Sequence, residues 1–249
     1  MGKFPIFIPL ILLAGVLSAQ KLTGEAIVRK TDANMRGNTL QAEMLFKTLR
    51  PTWTREMGVK TWAKGQDFAM IQITAPAKDK GVAFLKRKKE VWNWVPALER
   101  SIKLPPSMMS QSWMGTDFTN DDLVKESSII NDYTHTLLAD TVIRGISCYT
   151  IHMTPKPGAA VVWGKLMMYV DKEYFVEVHV KFFDEEGALV NIMNTLEIKM
   201  MGGRMIPVRI EMIPMDKKNQ KTEIIYTSLV FDKPIDDAFF TLQQLKNLR

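Results

Sequence analysis

From Gln41 onward apolar and polar side chains alternate, segment after segment. Tyr174, Val176, Val178, Val180 and Phe182 alternate with Phe175, Glu177, His179 and Lys181. Ile192, Leu196 and Ile198 alternate with Met193, Thr195, Glu197 and Lys199, and Ile206, Val208, Ile210 and Met212 with Pro207, Arg209 and Glu211. Successive side chains of a strand point to opposite faces, so each segment reads as a strand with one apolar and one wetter face. The breaks carry hairpin chemistry: Asp184-Glu185-Glu186-Gly187, Gly202-Gly203 and Asp216-Lys217-Lys218-Asn219. Such short turns demand antiparallel neighbours, because parallel strands need long crossovers. About ten or eleven strand candidates can be counted, too many for a flat open sheet.

Helical cover is scarce. Leu22 to Met35 places Ile27, Val28, Thr31 and Met35 on one side, with Glu25, Arg29 and Lys30 elsewhere, and predicts an amphipathic helix of three to four turns. One such helix cannot bury the whole apolar face of a large sheet. Either the sheet closes into a barrel on its own core, or it stays partly open around an apolar hollow, and a large apolar surface on a monomer marks a binding site.

The first residues read as an address. Lys3 is followed by an almost wholly apolar run from Phe4 to Leu17, then by Ser18-Ala19-Gln20. This is the layout of a secretory signal peptide over residues 1–19, and the run is short for a bilayer span, which takes about 20 apolar residues. A membrane anchor is the alternative. Residues 20–249 then form one domain in an extracytoplasmic compartment. The single cysteine, Cys148, excludes an internal disulfide framework and a cysteine-rich metal cluster. Lys and Arg number 33 against 27 Asp and Glu, a mild basicity spread along the chain with no nucleic-acid-binding arm. The run Lys86-Arg87-Lys88-Lys89 reads as a solvated hairpin tip, the alternative being a contact with anionic lipid or a partner.

The middle of the chain leaves the strand pattern. Leu104 to Gly115 holds Pro105-Pro106 and the bulky apolar Met108, Met109, Trp113 and Met114. Two readings stand side by side: a movable cover over the hollow, since unbranched thioether side chains repack around varied partners, or a loop tucked into the core. Methionine is abundant overall, at 17 residues. Thr119 or Asn120 is a suitable N-cap for a short helix, and Asp117, Asp121 and Asp122 read as capping and dipole partners, not as an alternating calcium loop.

Catalytic motifs are thin. His135, His152 and His179 lie far apart, and no nucleophile elbow, phosphate-cradling loop or dinucleotide fingerprint occurs. No metal or cofactor is expected, and an enzyme is not the preferred reading. A lipid hydrolase is the enzymatic alternative.

Four segments carry a resemblance. Ile73-Thr74-Ala75-Pro76-Ala77-Lys78-Asp79-Lys80-Gly81-Val82-Ala83-Phe84-Leu85 comes first, followed by Val91-Trp92-Asn93-Trp94-Val95-Pro96. Trp113-Met114-Gly115-Thr116-Asp117-Phe118, then Cys148-Tyr149 with Pro155-Lys156, continue in the same order. Together they resemble the outer-membrane lipoprotein-sorting proteins, the LolA-like periplasmic lipoprotein carriers. The resemblance implies a mainly β fold: an unclosed antiparallel β-barrel of about eleven strands, with an N-terminal helix and a short helix and loop covering an apolar cavity. It implies a periplasmic carrier that holds acyl chains of lipoproteins or other lipids and moves them toward the outer membrane. Its partners would be an inner-membrane lipoprotein or lipid transporter and an outer-membrane acceptor, with no nucleic acid. A non-enzymatic sensor or accessory subunit of an envelope transporter is the alternative. Met57, Phe84, Trp92, Trp94, Met108, Met109 and Trp113 are the candidate acyl-cavity residues. In the better-known carrier an arginine near the barrel's mouth helps hold the cover shut. The comparable stretch here, Thr61 to Gln66, has no arginine, and Lys64 is its nearest base.

Overall fold

The expected alternation becomes a single antiparallel sheet in the computed structural model, which describes residues 22–124 and 128–248. The signal-peptide segment lies outside the described residues. Helix α1 (Gly24–Arg36) is followed by β1 (Thr39–Leu49), β2 (Thr54–Lys64), β3 (Phe68–Ala75), β4 (Ala83–Arg87), β5 (Glu90–Val95) and β6 (Arg100–Lys103). Two short helices, α2 (Asn120–Val124) and α3 (Ser128–Asn131), precede β7 (Tyr133–Leu137), β8 (Thr141–Ile143), β9 (Ile146–Pro155), β10 (Lys165–Asp171) and β11 (Glu177–Phe183). The chain ends in β12 (Leu189–Met201), β13 (Arg204–Pro214), β14 (Lys221–Phe231) and α4 (Leu242–Asn247). Among the described residues fourteen strands form where the sequence pattern shows about eleven. The four-residue β6 and three-residue β8 are too short to register as an alternation.

Strand order explains the architecture. The sheet runs β6-β5-β4-β3-β2-β1-β14-β13-β12-β11-β10-β9-β7, with β8 also on β9. The last long strand therefore pairs with the first, through Phe46 opposite Ile224 and Met44 opposite Tyr226. The ring is left unclosed between β6 and β7, and the described residues 104–124 and 128–132 lie between these strands in the sequence. The aperiodic segment is thus the stretch that interrupts the sheet.

Register assigns the faces. Met57, Phe46, Ile224 and Ile210 lie opposite one another across β2, β1, β14 and β13. Met212, Met193, Val180, Met168 and Ile151 continue the inner face across β13 to β9. These side chains form one core cluster with Ile27 and Val28 of α1 and with Trp113 and Phe118 of the crossing segment. On β12 the phase is the reverse of the expected one. Asn191, Met193 and Thr195 are buried, whereas Ile192 and Leu196 are only half-buried. Thr195 is tolerated inside because its hydroxyl donates to the Glu177 carbonyl at 2.5 Å, and register shifts on either side of Glu197 break the strict alternation.

Helix α1 forms where its pattern places it. The Thr23 hydroxyl accepts from the Ala26 N–H at 3.1 Å as N-cap, and Ile27, Val28 and Thr31 are buried. At its far end the Arg204 guanidinium donates to the Ala33 and Asn34 carbonyls at 3.0 and 3.1 Å, in the last turn, where helical partners run out. Gly24 allows the close approach of the first turn to β7, since a Cβ there would lie 3.1 Å from the His135 carbonyl oxygen.

The outer face is covered in two ways. On β11 to β14 it carries a polar ladder. His179 Nδ1 meets Asn194 Oδ1 at 2.7 Å, Asn194 donates to Glu211 at 3.1 Å, and Lys221 bridges Glu211 and Glu223 at 3.0 and 2.7 Å. His179 thus lies on the wetter face, as its phase predicts, but is engaged by a neighbour. On β2 to β5 the outer face is apolar, and the C-terminal segment folds back over it. Phe240 and Leu245 are buried there with Met70, Ala83 and Leu85, and Trp62, Trp92 and Trp94 pack around them. Removing the fully buried Phe240 ring leaves a void in this second core. Phe240→Ala is expected to lower unfolding free energy by about 3–5 kcal/mol in urea titrations.

Candidate functional site

The inner face encloses a cavity of about 250 Å³. Its strand wall is largely apolar, with Met44, Val59, Ile71, Met168, Val180, Met193, Ile210 and Met212 among its residues. α1 supplies Val28, Thr31, Met35 and the Asp32–Arg36 pair, and the crossing segment supplies Trp113, Phe118, Leu123 and Val124. A buried void of about 150 Å³ lined by aliphatic and aromatic groups stays dry and admits benzene. The hollow here is larger than such a void.

The crossing segment is fastened from beneath by two arginines. Arg50, just after β1, donates to both carboxylate oxygens of Asp117, at 2.9 and 3.0 Å, and to the Gly115 carbonyl at 3.2 Å. The Asp117 side chain is only 3% exposed and that of Arg50 12%. Thr222 of β14 completes the clasp, its hydroxyl donating to Asp117 Oδ2 at 2.7 Å and accepting from the Asp117 N–H at 3.0 Å. Arg55 of β2 donates to the Met114 carbonyl at 2.7 Å. These contacts hold a tight turn in which Met114 and Gly115 both adopt positive φ, at 50° and 74°. For methionine that conformation is disfavoured, so the clasp stabilises a backbone that local preference would not choose. Lys64, the base nearest the expected mouth position, takes no part. It reaches the Ile235 carbonyl and Asp237 of the C-terminal segment, at 3.1 and 2.5 Å. The fastening residues, Arg50 after β1 and Arg55 at the start of β2, lie at the opposite end of the β1–β2 pair from Lys64.

Beyond the turn, Thr119 and Asp122 form a reciprocal cap: Thr119 N–H to Asp122 Oδ2 at 2.8 Å, Asp122 N–H to Thr119 Oγ1 at 3.1 Å. Asp122 Oδ1 also accepts from Trp163 Nε1 at 2.9 Å, and the Trp163 carbonyl accepts from the Tyr133 hydroxyl at 2.9 Å. Burial pushes the Asp122 carboxyl above the usual aspartate range, against these hydrogen bonds, which favour its charged form. α3 then reaches the β2–β3 turn and the end of β9. Asn131 donates to Gln66 Oε1 at 3.0 Å and accepts through its carbonyl from Lys156 at 2.7 Å. Asp117 and Asp122 thus serve as clasp and cap. Among the described residues no three His, Cys, Asp or Glu side chains converge to hold a metal ion.

Of the residues proposed from sequence, Trp113 lies on the cavity wall. Met57, Phe84 and Met109 are buried in the same core cluster, and Met108 packs against it. Phe84 reaches the cavity indirectly, through its ring contact with Trp113 at 5.7 Å. Trp92 and Trp94 lie on the outer face, because Trp92 is in register with Leu85 and Trp94 with Ala83, both under the C-terminal segment. Strand methionines 44, 168, 193 and 212 take the wall positions instead. The run Lys86 to Lys89 also divides. Lys86 is buried on the cavity wall and donates to the Gln66 carbonyl at 2.7 Å, whereas Arg87, Lys88 and Lys89 are exposed around the β4–β5 turn. Arg50 gave no sequence signal, since nothing local links it to an aspartate 67 positions away.

This architecture, an unclosed antiparallel sheet curled around a covered hollow, is the LolA-like fold. Three solved structures share it. A DUF1329 family protein from Desulfovibrio piger superposes with TM-score 0.81 at 20% identity, over 89% of this chain and 97% of that one. A domain named for outer membrane lipoprotein sorting, from Vibrio parahaemolyticus, gives 0.80 at 20% identity, over 90% and 98%. A LolA superfamily protein from Nitrosomonas europaea gives 0.77 at 22% identity, over 89% and 99%. No curated protein matches the chain in sequence. A family model described as "Uncharacterized protein" matches residues 65–247, and the chain belongs to that family.

The clasp and the cap can each be tested by substitution. Arg50→Ala leaves the Asp117 carboxylate buried without its cation. It is expected to cost about 3–5 kcal/mol and to raise hydrogen exchange first at the amides of residues 113–118. For Asp122, a folded pKa above the unfolded one means that the native state binds more protons. Its contribution is fully present below the unfolded pKa and is lost as pH rises through the raised value. Stability measured across that window for the protein and for Asp122→Asn is expected to show this decline only with the aspartate.

Proposed function

We propose that this chain is a carrier of acyl chains in the periplasm, binding lipoproteins or other lipids in its covered hollow for movement toward the outer membrane. The observation that carries this reading is the apolar cavity kept beneath a cover that is fastened by ion pairs and hydrogen bonds. An acyl chain loses about 0.8 kcal/mol of burial for each CH₂ drawn into water. A carrier must therefore offer equivalent apolar surface and must admit and release the chain. Unbranched methionines on the wall suit a site whose contents change shape. A clasp of polar contacts can open without exposing a large preformed hydrophobic seam. The fold shared with the Vibrio and Nitrosomonas proteins supports the reading. Periplasmic location rests on the character of residues 1–19. Among the described residues no helix is long and apolar enough to cross a membrane.

Binding is preferred to catalysis because none of the three histidines lines the cavity. His135 engages the Ile129 carbonyl at 2.9 Å, and His179 engages Asn194. The cargo would come from an inner-membrane lipoprotein or lipid transporter and pass to an outer-membrane acceptor. The purified protein is expected to take up a fluorescent fatty acid with saturable, roughly micromolar affinity and to speed lipid transfer between vesicles. Val180→Trp, which fills the hollow, is expected to weaken uptake at least about tenfold while circular dichroism is unchanged. Absence of uptake by the unmodified protein would refute the carrier reading. Uptake without transfer would favour a sensor or transporter accessory subunit.

A further inference from the structure

The cavity wall contains two tryptophans whose ring nitrogens are treated differently. Trp163 donates its Nε1–H to Asp122 at 2.9 Å. Trp113 is 0% exposed, and its Nε1–H has no acceptor among the described residues. The rest of Trp113 is held in place. Its backbone N–H donates to the Phe118 carbonyl at 2.8 Å, and its carbonyl accepts from the Thr116 N–H at 2.9 Å and the Thr116 hydroxyl at 2.7 Å. Its ring rests on Phe46 at 5.1 Å and on Phe84 at 5.7 Å. A buried donor without an acceptor is costly, and native interiors rarely keep one. Packing alone does not call for the nitrogen, since a phenylalanine would make much of the same ring contact without burying a donor.

We infer that Trp113 Nε1–H is the hydrogen-bond donor for the carbonyl oxygen through which an acyl chain is joined to the rest of its lipid. The inference rests on the carrier reading and narrows it. The cavity would recognise fatty-acyl esters and amides in preference to ether-linked or plain hydrocarbon chains. A single neutral donor in an aromatic setting suits a neutral carbonyl, which can be desolvated at modest cost. Its place in the fold suits this role, since Trp113 belongs to the cover, at the turn fastened by Arg50 and Arg55. A carbonyl bound there would sit at the closing edge, with its hydrocarbon directed into the hollow. Bound cargo would then satisfy a group of the cover itself, so that loading favours the closed state.

The test compares two lysophospholipids with the same headgroup and chain length, one 1-acyl and one 1-O-alkyl, as competitors of a fluorescent fatty acid. The unmodified protein is expected to bind the acyl form about fivefold more tightly. Trp113→Phe is expected to abolish the preference, so that the acyl and alkyl forms bind with equal affinity. In ¹H–¹⁵N spectra the Trp113 indole resonance is expected to move downfield with the acyl ligand only. Equal affinity of the unmodified protein for both competitors would overturn the inference and leave the carrier reading standing. A preference that survives Trp113→Phe would overturn it equally. Failure of both competitors and of the probe to bind would remove both readings. Should Trp113→Phe fail to fold, the acyl-to-alkyl comparison and the indole shift on the unmodified protein decide the matter.

Discussion

A sheet that curls without joining its edges must cover its inner face with something other than strands. Here that requirement falls on α1 and on the residues between β6 and β7, the stretch where the ring of strands is interrupted. Because this cover enters from one edge and leaves toward the other, it is tethered at both ends and is also part of the main core. Trp113 and Phe118 pack onto Phe46, at 5.1 and 6.2 Å between ring centroids. The protein has a hollow because these few elements cover the mouth without filling the volume behind it. A complete complement of packing helices would remove the cavity.

The two faces of the sheet solve different problems. The outer face is closed off by the C-terminal aromatic cluster over β2 to β5 and by the cross-strand ladder from His179 to Glu223 over β11 to β14. Direct opposition of His179, Asn194, Glu211 and Glu223 across four strands lets short side chains satisfy one another. The inner face uses polar groups sparingly and at its margins. The Asp32–Arg36 pair and the Arg50–Asp117 clasp are each paired in place, as groups withdrawn from water must be. Burying ionic contacts adds little net stability compared with apolar packing of the same volume.

Much of the fold was legible in the sequence. Period-two alternation is a local consequence of strand geometry, so strands such as β11 and the helix bearing Ile27, Val28 and Thr31 could be read from spacing alone. Hairpin residues implied antiparallel neighbours, and the shortage of helices implied incomplete cover. The crossing segment was visible as a break in period, and its cap at Thr119 as a local motif. The candidate site was legible only in part: Trp113 faces the hollow, whereas Trp92 and Trp94 lie beneath the C-terminal segment.

The sequence by itself determined the class of fold, the position of the crossing segment and the presence of an apolar excess, because each depends on residues close together in the chain. Which apolar face becomes interior was decided by the tertiary structure. On β5 both faces carry apolar side chains, Trp92 and Trp94 on one and Val91 and Val95 on the other, and only the return of residues 233–248 over the tryptophans shows which is outer. On β12 register shifts and the Thr195-to-Glu177 hydrogen bond reverse the phase that hydrophobicity alone implies. The clasp between Arg50 and Asp117, and the buried indole N–H of Trp113, likewise exist only once distant strands meet. Local pattern fixes how side chains alternate, but the partner across the fold decides what each one faces.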